Sequence, residues 1–252
     1  MKKLMVTGLA ALAAANLWAI PGTVSTESET VSGDVKWHAR DKKYIIEKGK
    51  VTKEFSLDDV VKLEIPKPPA FDKCVAQVEG GQGVAAIPNL TKIVADYRRL
   101  QWDKPAGRYL ALAYLASNQP QKALDACQDI IQGDRAAGYS GDLAAAYWQA
   151  LLKLGKTEQL ENLLKKAATS GDRMASAAAL VMRGDIIVST SNDQPDKLKD
   201  ALRDGYLRVV LMYQDAECVR ERAEACLKAA ACFDKLGQAA RAEKLRAQAK
   251  AL

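Results

Sequence analysis

The chain has 252 residues, of which 48% are hydrophobic and 27% charged, a composition that sustains a folded core in one or two domains. Its net charge of +6 arises from basic residues interleaved with acids, as in Lys42, Lys43, Glu47, Lys48, Lys53 and Glu54. No basic stripe with interleaved aromatics occurs, which argues against nucleic acid as a partner.

The N-terminus predicts export. Met1-Lys2-Lys3 is a short basic region, Leu4–Leu17 is apolar, and small residues follow, the order of a secretory signal peptide. Cleavage fits after Ala15 or after Ala19. The second is favoured, so residues 1–19 are read as signal peptide and residues 20–30 as a flexible tail. An uncleaved anchor is the alternative, but the stretch is short against the roughly 20 residues of a spanning helix. No cysteine follows the apolar run, against a lipoprotein. The expected compartment is a bacterial periplasm or the extracellular side, with no membrane span after signal removal.

Such a compartment permits disulfides. The five cysteines are Cys74, Cys127, Cys218, Cys226 and Cys232, an odd count with no C-x-x-C spacing. Cys127 falls on an apolar helical stripe. Cys218 and Cys226 are the one pair worth testing for a bridge.

Residues 31–66 read as a small β module. Val31–Trp37, Lys43–Lys48, Val51–Ser56 and Val60–Ile65 are short runs rich in Val, Ile, Tyr, Trp and Phe, separated by turn residues. Val35 and Trp37 alternate with Asp34, Lys36 and His38, and Val61, Leu63 and Ile65 with Lys62 and Glu64, which predicts antiparallel strands. Pro66, Pro68 and Pro69 then end the strand in a stiff link.

From residue 67 to 252 the pattern is helical and repeats. In the segment 104–134, apolar residues at Leu110, Ala113, Tyr114, Leu124, Cys127, Ile130 and Ile131 mark two amphipathic helices around a turn at Ser117–Pro120. Taking Asn118 as the turn centre, steps of 37 residues reach Gly81, Gly155 and Asn192, and Gly237 follows 45 residues later. Gly and Asn are the residues that tolerate a left-handed helix end. Five residues beyond each centre stand Ala86, Ala123, Leu160, Lys197 and Ala242.

These hairpins resemble tetratricopeptide repeats. Tyr114, Asn118, Ala123 and Ile130 match the aromatic, turn, alanine and apolar positions of that motif, and Phe233, Gly237, Ala242 and Ala249 do so again. Leu151, Gly155, Leu160 and Ala167 match less well, with Leu at the alanine position. The hairpin over Ala178–Tyr213 departs furthest, with Lys197 at the small-residue position and Asp193–Pro195 lengthening its turn. The motif's early Trp and closing Pro are missing. The resemblance implies a mainly α fold, a TPR-like α-α superhelix of about four and a half hairpins behind the β module. Export, a small β module and such helices together also resemble uncharacterised bacterial envelope proteins.

Candidates for chemistry are few. His38 is the only histidine and has no ligand cluster beside it in sequence, so neither a metal nor a cofactor is expected. Gly-x-Ser-x-Gly is absent, and Gly80-Gly81-Gln82-Gly83 lacks the Lys-Ser/Thr of a phosphate loop. Asp58 and Asp59 are adjacent and suit a turn. Arg183-Gly184-Asp185 spells an adhesion tripeptide but lies in an apolar helical run. The chain is therefore not expected to be an enzyme.

Binding remains. TPR-like stacks present the first helix of each hairpin to a groove. By register, Arg108, Leu112, Gln149, Lys153, Met182 and Ile186 line it, without the Lys/Asn clamp that captures a terminal carboxylate. The expected role is a scaffold or adaptor for another envelope protein or for itself. The alternatives are a groove filled by the chain's own β module or by a second copy, and a carbohydrate- or peptidoglycan-binding β module with Trp37 or Tyr44 as stacking surface.

Overall fold

The computed structural model of the chain describes residues 20–252. The signal peptide expected over residues 1–19 lies outside the described residues. The chain divides into two units between Pro66 and Lys67.

The first unit is a five-stranded sheet. Its strands are β1 (Ile20–Ser25), β2 (Thr30–His38), β3 (Lys43–Lys48), β4 (Val51–Ser56) and β5 (Lys62–Glu64). Their order is β4-β3-β2-β1-β5, and every neighbouring pair is antiparallel. Cross-strand partners share a face, which gives one apolar row of Trp37, Tyr44 and Phe55 and another of Ile20, Val35 and Ile46. All six are buried. The opposite face carries the ion pairs Lys36–Glu47, at 2.8 Å, and Lys43–Glu54, at 3.0 Å.

Two expectations are corrected here. Residues 20–30 are not a flexible tail: Ile20–Ser25 is an inner strand, paired with β2 on one side and β5 on the other. The polar Thr/Ser run hides an alternation in which Ile20 and Val24 face inward, while the Thr23 and Ser32 hydroxyls pair across the strands at 2.9 Å. The second correction concerns stacking. Trp37 and Tyr44 are only 8% and 5% exposed and lie against each other, ring centres 4.9 Å apart. Their burial removes the surface a sugar ring needs.

The second unit is helical throughout. Its helices are α1 (Phe71–Glu79), α2 (Gly83–Asp96), α3 (Asp103–Ala116), α4 (Pro120–Gly133), α5 (Ala144–Lys153), α6 (Thr157–Thr169) and α7 (Arg173–Ser189). Then come α8 (Pro195–Ala201), a π-helical turn over Leu202–Tyr206, α9 (Leu207–Met212), α10 (Val219–Lys235) and α11 (Ala239–Lys250). They pair as antiparallel hairpins, α8 to α9 together forming the partner of α7. The fold is mainly α, a TPR-like stack of hairpins preceded along the chain by the antiparallel sheet.

The turn centres read from the spacing are where the backbone turns left-handed. Gly81, Asn118, Gly155, Asn192 and Gly237 have φ of 78°, 56°, 67°, 46° and 70°. Four of them close the same helix-ending motif, in which the residue after the centre donates its N–H five residues back. The pairs are Gln82 to Gln77, Gln119 to Tyr114, Lys156 to Leu151 and Gln238 to Phe233, at 2.7 to 2.9 Å. The small-residue positions Ala86, Ala123 and Ala242, and Leu160 in their place, are fully buried.

The fourth hairpin differs by one residue. Asn192 and Asp193 are both left-handed, at 46° and 59°. The extra residue moves Lys197 out to solvent and brings Leu198 to the fully buried position. Lys197 is therefore not the crossing residue.

Two apolar cores meet along α7. Trp148, fully buried, centres the first with Leu124, Cys127, Leu151 and Leu160, and its indole donates to the Gly138 carbonyl at 2.9 Å. Tyr206, Leu198, Val209 and Cys226 build the second. Met182 and Ala179 of α7 face the first core, Val181 and Ala177 the second. All five cysteines are buried free thiols, so Cys218 and Cys226 form no bridge. Burial pushes the Cys127 thiol up to about 12.

Candidate functional site

The six residues expected on the first-helix groove sit on consecutive first helices, α3, α5 and α7, which pack side by side. They are not equally available. Lys153 is exposed, and Gln149 and Arg108 are half-buried, Arg108 with its guanidinium 4.9 Å from the Tyr109 ring centre. Leu112 and Ile186 pack partly against the first core. Met182 is 3% exposed and belongs to that core, which corrects its reading as a lining residue: α7 is flanked on two sides and has little free surface.

Two recesses are instead lined mainly by second helices. The first, about 450 Å³, lies between α2 and α4 over Leu110 and Tyr114. Those two residues stand about 120–160° around α3 from Arg108 and Leu112. Its walls carry the ion pair Arg98–Asp129 at 2.5 Å. The second, about 550 Å³, lies between the α8–α9 segment and α11, over Phe233 of α10.

One repeat position builds the floor of both. Tyr114 and Phe233 each stand four residues before their turn centre, and a cation four residues after the centre lies over each ring. Lys122 Nζ is 5.9 Å from the Tyr114 centroid and the Arg241 guanidinium 5.7 Å from that of Phe233. Both distances are within cation–π range.

The second recess is the more apolar. Leu202, Leu207 and Leu211 run along its wall, and Leu211 and Met212 are 69% and 60% exposed. Lys199, Arg203, Arg208 and Arg241 rim it, and no carboxylate lines it. The π turn sets this arrangement. Leucines at 202, 207 and 211 and cations at 199, 203 and 208 each take one five-residue step across residues 202–206, the step that keeps side chains aligned through a π turn. In an unbroken α-helix the same residues diverge by a further 100° or so at that step. Arg203 is held by Asp200 and Asp204, at 2.9 and 2.8 Å, which raises its pKa, and Lys199 pairs with Asp196 at 3.0 Å. Among the described residues, Arg208 and Arg241 have no ion-pair partner.

Behind this wall the α7 crossing is close. A Cβ on Gly205 would stand 2.7 Å from Gly184 Cα, and one on Gly184 would stand 2.5 Å from the Tyr206 ring. The Tyr206 hydroxyl donates to Asp185 at 2.7 Å, and Lys228 donates to the other carboxylate oxygen. Burial pushes the Asp185 carboxyl up despite Lys228; burial pushes Lys228 down, but Glu224 and Asp185 outweigh it and raise its pKa. Arg183-Gly184-Asp185 is thus part of an internal crossing and presents no adhesion loop.

Other candidates are accounted for locally. His38 ends β2, with Nδ1 3.1 Å from the Asp41 carboxylate. Gly80–Gly83 spans the α1–α2 turn. Asp215, Glu217 and Cys218 bring ligand-type atoms within 4.8 Å of one another, but Asp215 accepts from Arg173 Nε at 2.7 Å and Cys218 is buried with its pKa raised by that burial. Sequence reasoning missed the α8–α11 recess. Its signal was the apolar Leu207–Met212 run beside the basic Arg203 and Arg208, obscured because helical periodicity slips at the π turn.

No family model and no curated protein matches the chain. Among solved structures, it is similar to crystals of TPR-like repeats assigned to a Podosopora anserina kinesin light chain. That likeness has 17% identity and a TM-score of 0.41, covering 72% of this chain and 92% of that one. A point-substituted form of the same repeats gives 16% identity, a TM-score of 0.42, and coverage of 72% and 91%. At this distance the likeness concerns the fold, which the hairpins and their left-handed turns establish independently as TPR-like.

Proposed function

We propose that the chain is a non-catalytic protein-interaction scaffold of a bacterial envelope, exported through its N-terminal segment, and that it docks a protein partner in the α8–α11 recess. The observation that carries this reading is the apolar wall with Leu211 and Met212 largely bare beside a basic rim. Exposed apolar surface rimmed by polar groups marks an interaction site. The non-catalytic part is supported by where the perturbed groups lie: Cys127, Asp185 and Tyr206 are shifted by burial inside packing contacts.

The test is site-specific photo-cross-linking in the native host. A photoreactive residue at 211 is expected to capture a protein, and one at 153, on the first-helix side, to capture less. Capture at 153 with none at 211 moves the site back to the first helices. Mass spectrometry of the mature N-terminus tests export: a protein that starts at Met1 and stays in the cytoplasm refutes it.

A further inference from the structure

We infer that the occupant of the α8–α11 recess is the acidic tip of the β module of a second copy of this chain, so that copies associate head to tail. The inference rests on the docking reading above and names its partner. The argument is complementarity between two surfaces of one chain. The recess is lined by four cations and no carboxylate. A hollow of about 530 Å³ in the sheet unit is lined by four carboxylates, Glu27, Glu29, Asp58 and Asp59, and no cation. It lies between the β1–β2 turn and the short 3₁₀ turn after β4.

The unpaired charges match in number. Glu29 is held by Lys53, and Asp59 accepts from the Ser56 hydroxyl at 2.7 Å. Glu27 and Asp58 are exposed and have no ion pair among the described residues. Two carboxylates without an ion pair on one surface thus meet two guanidiniums without an ion pair, those of Arg208 and Arg241, on the other. Each surface also exposes an apolar side chain: Val61, 69% exposed, edges the acidic hollow, as Leu211 edges the basic recess. Because the two surfaces differ, the contact is heterologous, and it propagates as a chain of copies or closes as a ring.

Sedimentation velocity on the full chain tests this. The weight-average mass is expected to rise with protein concentration in about 50 mM salt and to fall back to monomer near 500 mM, where screening acts within roughly 4–5 Å. Arg208→Glu with Arg241→Glu, and separately Glu27→Lys with Asp58→Lys, are expected to be monomeric. An equimolar mixture of the two variants is expected to associate again, because each reversed surface then meets a reversed partner. All four positions are on the surface, and circular dichroism checks that the variants stay folded. Leu211→Asp supplies an uncoupled variant and is expected to weaken association at least tenfold. A chain that stays monomeric at all concentrations overturns the inference, as does association indifferent to both reversals. Cross-linking from residue 211 to a different protein, with the chain monomeric, leaves the docking reading standing and removes self-docking alone.

Discussion

The Arg241 guanidinium lies 5.7 Å from the centre of the Phe233 ring, the same relation that Lys122 has to Tyr114 in an earlier hairpin. Phe233 is 8% exposed and closes the second core. Phe233→Ala is expected to cost about 3–5 kcal/mol in urea unfolding. Arg241→Ala, which removes the exposed cation over the ring and its hydrogen bond to Gln238, is expected to cost about 0.5–1 kcal/mol. Similar losses for the two variants would mean that the cation and not the ring organises the recess floor.

Ala123 and Leu198 test the repeat register from opposite sides. Ala123 is fully buried at the crossing of α3 and α4, so Ala123→Leu is expected to destabilise by about 1–3 kcal/mol through overpacking. Leu198 holds the equivalent place in the fourth hairpin, and Leu198→Ala is expected to cost about 2–5 kcal/mol. Lys197→Ala, one residue away in solvent, is expected to stay within about 0.5 kcal/mol of the parent. A costly Lys197→Ala would restore the unshifted spacing.

Asp185 offers a third measurement. Replacing it by Ala strips the Tyr206 hydroxyl and Lys228 of their shared acceptor. The expected loss is about 1–3 kcal/mol. Asp185→Asn keeps one acceptor and is expected to fall between the parent and Asp185→Ala. Thermal unfolding of the three proteins at pH 7 gives the ranking.

Two carboxylates set an acid limit. Burial alone would raise both Asp134 and Asp172, but their partners outweigh it and hold each below the usual carboxylate range. For Asp134 these are Lys104, the Ala136 N–H and Arg99; for Asp172, the Ser140 hydroxyl and the first N–H groups of α7. A depressed folded pKa contributes stability that is complete above the ordinary value near 4 and is lost as pH falls through the folded value. The Lys104–Asp134 pair is partly solvated, so Lys104→Met is expected to cost about 0.5 kcal/mol at pH 7. Asp172 accepts from the Ala175 N–H at 3.0 Å as the cap of α7, so Asp172→Ala is expected to cost about 1 kcal/mol. Urea midpoints at pH 7 and pH 2 should show both differences shrinking at the lower pH.

Much of the helical architecture was legible because its punctuation is chemical. A left-handed helix end admits Gly or Asn at low cost, so Gly81, Asn118, Gly155, Asn192 and Gly237 carried the hairpin spacing on their own. The strand over residues 20–25 was not legible, because Thr23 and Ser25 look like loop composition, and only pairing with Ser32 and Lys62 makes them strand. The recess was illegible for a different reason. The π turn breaks the 3.6-residue period at the point where Leu202, Leu207 and Leu211 come into line. Met182 was misplaced because spacing along one helix shows which residues share a face but does not show that α7 is covered on two sides.

That double cover has a consequence for how a newly made chain becomes a protein. The first core has no closing wall until α7 arrives, so Trp148 and Leu151 wait for Ala179 and Met182. Once they dock, α7 still turns Ala177 and Val181 outward, with nothing against them until α8 to α10 follow. A chain emerging N-terminus first therefore passes through a stage at which most of the stack is built but ends in a bare apolar stripe. Until α8 to α10 dock, that stripe is open to a chaperone or to another incompletely folded copy.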